Sequence, residues 1–207
     1  MGLFKKFFTQ TRKPEGILGK IMVNGMNSGG HSMLAAWGLG FVDINRNSVA
    51  LDCGCGGGAN VKRLLSKCEK VYGIDYSEVS IAKSKQVNAQ AIAKGRCEIH
   101  QCDVCSLPFD NESFDMVSAF ETIYFWHDIE KAFAEVFRVL RKGGTFAITN
   151  ESTGTDKTSV KFSQIIDGMN LYTGSDLKKL LANTGFTDIE IHRHGDKPWL
   201  NVTARKA

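Results

Sequence analysis

The chain has 207 residues, 43% apolar and 23% charged, which is enough for one α/β domain with a full core. No stretch approaches the roughly 18 apolar residues of a membrane span, so none is expected. The net charge of +4 and pI near 8.7 are mildly basic, and Lys and Arg are scattered; a nucleic-acid partner is not expected on this footprint.

The first ten residues, with Phe4, Phe7 and Phe8 on one helical face, are basic and aromatic and lack the apolar core of a signal peptide. Gly2 follows Met1, but Lys6 breaks the myristoylation pattern. A packed or loosely docked terminal helix is expected there, with a membrane-surface anchor as the alternative. Residues 14–42 read as two helices rich in Gly and Met, so 1–42 is expected to be a helical segment that covers or closes a site, ahead of a domain over 43–207. Strands are expected at 49–53, 70–75, 97–102, 114–120 and 145–149, with helices at 61–68, 78–94 and 129–140 between them. Such alternation implies βαβ units and a mostly parallel sheet covered on both faces. Residues 141–144 (Arg-Lys-Gly-Gly) are expected to turn after the third of these helices. Ser175 and Asp176 are expected to cap a helix that Gly185 closes. Segments 187–193 and 199–204 read as an edge hairpin, with His192 and His194 facing solvent. There is no internal repeat.

Cysteines stand at positions 53, 55, 68, 97, 102 and 105. Cys102 and Cys105 have the spacing of a metal-binding pair, but no second pair accompanies them, so reduced thiols, a cytoplasmic location and no metal are expected.

The most informative stretch is 48–60. An apolar run (Val49, Ala50, Leu51) stops at Asp52, and a turn with Gly54, Gly56, Gly57 and Gly58 leads into a helix. Glycines let the backbone approach a ligand, and the helix start offers N–H groups beside it. The glycine spacing also fits a dinucleotide fingerprint, which leaves an NAD(P)-dependent oxidoreductase as an alternative. Asp52 at the pocket mouth argues against it, because a pyrophosphate there would meet a like charge. A cationic, phosphate-free ligand meets no such conflict. Asp52-x-Gly54-x-Gly56-x-Gly58 resembles the first motif of the class I S-adenosylmethionine (SAM)-dependent methyltransferases. Asp75 ends the second strand, and Gln101-Cys-Asp-Val104 ends the third.

The resemblance implies a Rossmann-like methyltransferase fold, an α/β architecture with a seven-stranded, mostly parallel sheet, an antiparallel last strand and helices on both faces. It implies SAM as cofactor and S-adenosyl-L-homocysteine as product. Asp52, Cys53, Gly54, Gly56 and Gly58 would hold the methionyl part, Asp75 the ribose, Tyr76 and Phe120 would pack on the nucleoside, and Asp103 with Val104 would hold adenine.

The acceptor would sit past the fourth strand, where residues 120–128 hold Glu121, Tyr124 and His127; His31 would reach over from the leading helices. These four are the catalytic candidates, and Asp128 can equally be a helix cap. No Asp/Asn-Pro-Pro-aromatic motif is present, which argues against methylation of adenine amines or glutamine amides. Phe162, Ile165, Ile166, Met169 and Tyr172 form an apolar stripe that either lines an acceptor pocket or covers the sheet. The resulting expectation is methyl transfer to a small molecule, apolar or aromatic if the stripe lines the pocket. A non-catalytic SAM-binding regulator remains the other alternative.

Overall fold

The computed structural model describes residues 10–26 and 30–207. The expected terminal helix with Phe4, Phe7 and Phe8 lies outside the described residues. The elements are α1 (Gly16–Met26), α2 (Gly30–Gly38), a 3-10 turn (Leu39–Phe41), β1 (Val49–Cys53), α3 (Ala59–Leu65), β2 (Lys70–Asp75), α4 (Glu78–Val87), α5 (Ala89–Ala93) and β3 (Cys97–Gln101). They continue with β4 (Phe114–Phe120), a 3-10 turn (Ile123–Phe125), α6 (Ile129–Val139), β5 (Leu140–Asn150), α7 (Lys157–Ile165), α8 (Gly174–Thr184), β6 (Thr187–Arg193) and β7 (Leu200–Arg205).

The seven strands form one sheet in the order β3-β2-β1-β4-β5-β7-β6. All neighbours from β3 through β5 pair parallel, and β7 runs antiparallel to both β5 and β6. The chain lays β2 and β3 on one side of β1, then returns to place β4 on the other. That reversal between β1 and β4 is the switch point at which open α/β sheets leave a crevice.

Strand periodicity sorts side chains onto two cores. Leu51, Val117 and Ile148 join Phe133, Val136, Leu177 and Leu181 of α6 and α8 on one face. Their neighbours Ala50, Met116 and Ala147 join Val61, Leu64 and Ile81 of α3 and α4 on the other. The leading segment completes the second side, with α1 packed on α4 and α2 on β5.

Several local expectations change. The helix expected over 78–94 divides at Asn88, which is 3% exposed. Its amide donates to the carbonyls of Ser84 and Gly58, at 3.0 and 3.1 Å, and so ties the helix to the glycine turn. Residues 141–144 are not a turn ahead of a strand. They form an irregular stretch inside β5, where pairing steps from Phe114 with Leu140 to Met116 with Thr145 and Gly143 takes φ 75°. The cap of α8 is Thr173 in a reciprocal capping box with Asp176, while Gly185 closes the helix at φ 107°. His192 and His194 are half-buried against aromatic rings instead of facing solvent freely. His192 stacks on Phe41 at 4.0 Å, and His194 meets Trp199 at 4.9 Å and Trp37 at 5.7 Å, which pins the leading segment to the edge hairpin.

The Asn88→Ala variant removes two donors from the glycine turn and its own helix. It is expected to lower stability by about 1–2 kcal/mol in a urea titration.

Candidate active site

The carboxyl-end edge of the sheet gathers the site. Both Gly54 and Cys55 donate their N–H to the Ile74 carbonyl at 2.8 Å, which folds the glycine turn over the tip of β2. Gly54 has φ 73°, and a Cβ there would lie 2.0 Å from Thr122 Oγ1, so both backbone conformation and space require glycine. Asp75, at the end of β2 and 9% exposed, accepts from Gly56 N–H at 3.0 Å and from Ser77 N–H at 2.8 Å. Burial pushes its pKa above the usual carboxylate range, against these backbone hydrogen bonds.

Asp52 is not at the mouth of the cleft but in its floor, at 2% exposure. Ser118 Oγ donates to it at 2.6 Å and Asn60 Nδ2 at 2.9 Å. Burial raises its pKa to about 6, only partly offset by those two donors. One cleft is lined by Asp52, Gly54, Gly56, Asp75, Tyr76, Asp103, Val104, Phe120 and His127, and also by Glu121 and His31.

Three expected site residues do not reach its surface. Cys53 is fully buried, and that burial raises its pKa. Gly58 takes φ 79° at the start of α3, and a Cβ there would lie 2.5 Å from Ser84 Oγ, so its contribution is conformational. Tyr124, 3% exposed, sits beneath Glu121 and donates its hydroxyl to Glu121 Oε1 at 3.0 Å.

Glu121 is the most perturbed acid. It follows β4 at φ 55°, an uncommon conformation for a side chain of this kind, and its own N–H is held by the Thr149 carbonyl at 3.0 Å. Its carboxylate accepts from Tyr124 and from Glu151 N–H. Desolvation raises its pKa to about 8, with the Glu151 charge acting in the same direction. His31, Glu121 and Glu151 each bring one ligand-type atom within 4.8 Å of the others. His127 belongs to a different group, with Asp103 and Cys105.

Sequence reasoning missed the strap over residues 11–14. Thr11, Arg12 and Pro14 line the cleft. The Tyr76 hydroxyl donates to the Arg12 carbonyl, and Ser77 Oγ donates to the Pro14 carbonyl at 2.6 Å. Tyr76 therefore lines the cleft while its hydroxyl fastens the strap, and the raised pKa of about 12 follows chiefly from burial. Leu34 and Ala35 of α2 were also missed as cleft residues. The stripe at 162–172 does not line this cleft. Ile166 is buried at 4%, and Asn170 N–H donates to the Tyr124 carbonyl at 2.8 Å, so the segment supports the site from below.

Residues 51–148 match a protein family described as "Methyltransferase domain". Residues 51–148 thus carry a methyltransferase domain. Among curated relatives, an uncharacterized methyltransferase of Bacillus subtilis, YdaC, is 26% identical over 176 residues, covering 83% of this chain and 89% of the relative. A cycloartenol-C-24-methyltransferase of Oryza sativa is 31% identical over 99 residues, 47% of this chain and 29% of that one. The chain thus spans less than a third of that relative's length, and 55% of an Aspergillus sclerotiorum O-methyltransferase. A SAM-dependent methyltransferase of Aquifex aeolicus shares the fold at a TM-score of 0.75 and 16% identity, over 91% of this chain and 98% of the other. SAM is the methyl donor named for that Aquifex aeolicus neighbour.

The perturbed acid of the cleft has a measurable signature. Because the folded pKa of Glu121 exceeds its unfolded value, its contribution is fully present below pH 4 and is lost as pH rises through about 8. Glu121→Gln is therefore expected to gain about 1–3 kcal/mol relative to wild type between pH 6 and pH 9 in denaturant titrations of the ligand-free protein.

Proposed function

We propose that this chain catalyses methyl transfer from SAM to a small-molecule acceptor. The reading is carried by one observation: Asp52, Asp75, Asp103 and Glu121 line a single cleft beside the glycine turn. Such an arrangement favours a cationic nucleoside without phosphate. In this reading Asp75 accepts the ribose hydroxyls with the lone pairs left over from its backbone bonds. Asp103 accepts from the adenine amine and the Val104 N–H meets a ring nitrogen. Phe120 and Tyr76 flank the nucleoside. Gly54 and Gly56 admit the methionyl part, with Asp52 beneath and Gly58 and Cys53 shaping the turn. The segment at 1–42 serves as a cover to the domain at 43–207; α2 and the strap at 11–14 lining the cleft support that division.

The transfer is an in-line displacement. The bond from acceptor to methyl carbon forms as the carbon–sulfur bond breaks, and sulfur keeps the electron pair in neutral S-adenosylhomocysteine. Alignment and exclusion of water supply most of the acceleration. An acceptor that carries a proton at the reacting atom gives it to Glu121, whose pKa of about 8 suits a general base. Tyr124 orients that carboxylate, and His31 faces the acceptor beside it. His127, grouped with Asp103, serves the donor end.

An apolar acceptor is supported by relatives named for sterol and squalene methylation. The side-by-side carboxylates of Glu121 and Glu151 favour a second reading, an amine acceptor. The test is release of S-adenosylhomocysteine against a panel of apolar lipids, phenols and amines. Turnover with one class is expected, kcat rising with pH through about 8. Glu121→Gln should lower kcat by about 10²–10⁴-fold and flatten that rise. Tight SAM binding without turnover on any class would favour a regulator.

A further inference from the structure

Three donor atoms of different chemistry meet where the loop after β3 passes the start of α6. Cys105 Sγ lies 4.0 Å from His127 Nδ1, and Asp103 Oδ2 lies 3.7 Å from the same nitrogen. One ligand atom from each of the three residues lies within 4.8 Å of the other two. A single ring nitrogen cannot satisfy a thiol and a carboxylate together, because it carries one proton or one lone pair. A cation at the centre of the triangle satisfies all three.

The backbone already holds this triangle in shape. Cys105 N–H donates to Asp103 Oδ1 at 2.9 Å, and Cys105 Sγ reaches the Asp128 carbonyl at 3.4 Å. Asp128 is itself fixed as the cap of α6 through Lys131 N–H at 3.0 Å. The sequence pair Cys102 and Cys105 is thus not the pairing the fold uses; the partner of Cys105 is His127.

We propose that Asp103, Cys105 and His127 form a site for a thiophilic divalent cation of the Zn²⁺ type, and that this cation competes with the methyl donor for Asp103. Bonds of about 2.0–2.3 Å in a tetrahedral zinc site place neighbouring ligand atoms roughly 3.3–3.8 Å apart. The two distances to His127 Nδ1 need to contract by a few tenths of an ångström. The side chains of Asp103 and His127 are 52% and 61% exposed, so both can rotate to do so. The mixed oxygen, nitrogen and sulfur set selects Zn²⁺ over Mg²⁺ or Ca²⁺, which take oxygen ligands. The Cys105 thiol releases its proton to solvent as the cation binds. Three protein ligands leave a fourth position open. The competition rests on the reading of Asp103 as the acceptor for the adenine amine: a carboxylate that holds a cation no longer receives that amine.

The experiment uses the full metal-free chain. Titration with Co²⁺ is expected to give a thiolate-to-cobalt charge-transfer band that saturates at one ion per chain and is bleached by Zn²⁺. Cys105→Ser abolishes the band, His127→Ala weakens it, and Cys102→Ser retains it. His127 is exposed, so its variant tests the site without disturbing the core. In calorimetry, Zn²⁺ at about ten times its Kd lowers the apparent SAM affinity about tenfold in wild type, by mass action, and leaves Cys105→Ser unchanged. Absence of the band, or its persistence in Cys105→Ser, overturns the site. Undiminished SAM affinity under saturating Zn²⁺ overturns the competition. A chain that shows the band but takes up no SAM with or without Zn²⁺ removes the donor reading and the competition with it, and supports the cation site.

Discussion

The buried carboxylate of Asp75, accepting from Gly56 N–H on one oxygen and Ser77 N–H on the other, joins the two halves of the site. It fixes the tip of β2 to the glycine turn after β1, and the Ile74 carbonyl reinforces the join through Gly54 and Cys55. Losing either backbone donor would leave an oxygen of a desolvated carboxylate underpaired, a cost of about 1–3 kcal/mol. The position of the turn, the start of α3 and the floor at Asp52 all follow from this contact. Asn88 braces the same turn from the far side by dividing a helix.

The acids around the cleft do not stand alike. Asp52 and Glu121 are held with raised pKa values of about 6 and about 8, chiefly because burial penalises their charge. A cationic ligand at the cleft would lower both again. In the proposed reading, uptake of a cationic ligand and ionisation of these groups reinforce one another. This favours a sulfonium over a pyrophosphate more firmly than any glycine spacing does.

The central architecture was legible because it is written in local patterns. Apolar runs ending in Asp52 and Asp75 became β1 and β2 at their expected bounds, and β4 and β6 did the same. The antiparallel last strand follows from the hairpin at its turn, although its insertion between β5 and β6 depends on long-range pairing. Contacts through backbone carbonyls were illegible. The strap at 11–14 is held at the carbonyls of Arg12 and Pro14, groups every residue carries, so no side-chain signal announces it. The depth of Asp52 was misjudged because a strand tip reads the same whether its acid faces solvent or is roofed by Ser118 and Asn60. The aromatic setting of His192 and His194 depends on Phe41, Trp37 and Trp199, which come together only in the fold.

Isothermal titration of the ligand-free chain with SAM and, separately, with NAD tests the electrostatic account most directly. One SAM per chain should bind, NAD should give no heat, and Asp75→Asn and Asp103→Asn should each weaken SAM by at least about tenfold. Uptake of NAD, or SAM affinity indifferent to both substitutions, would contradict it.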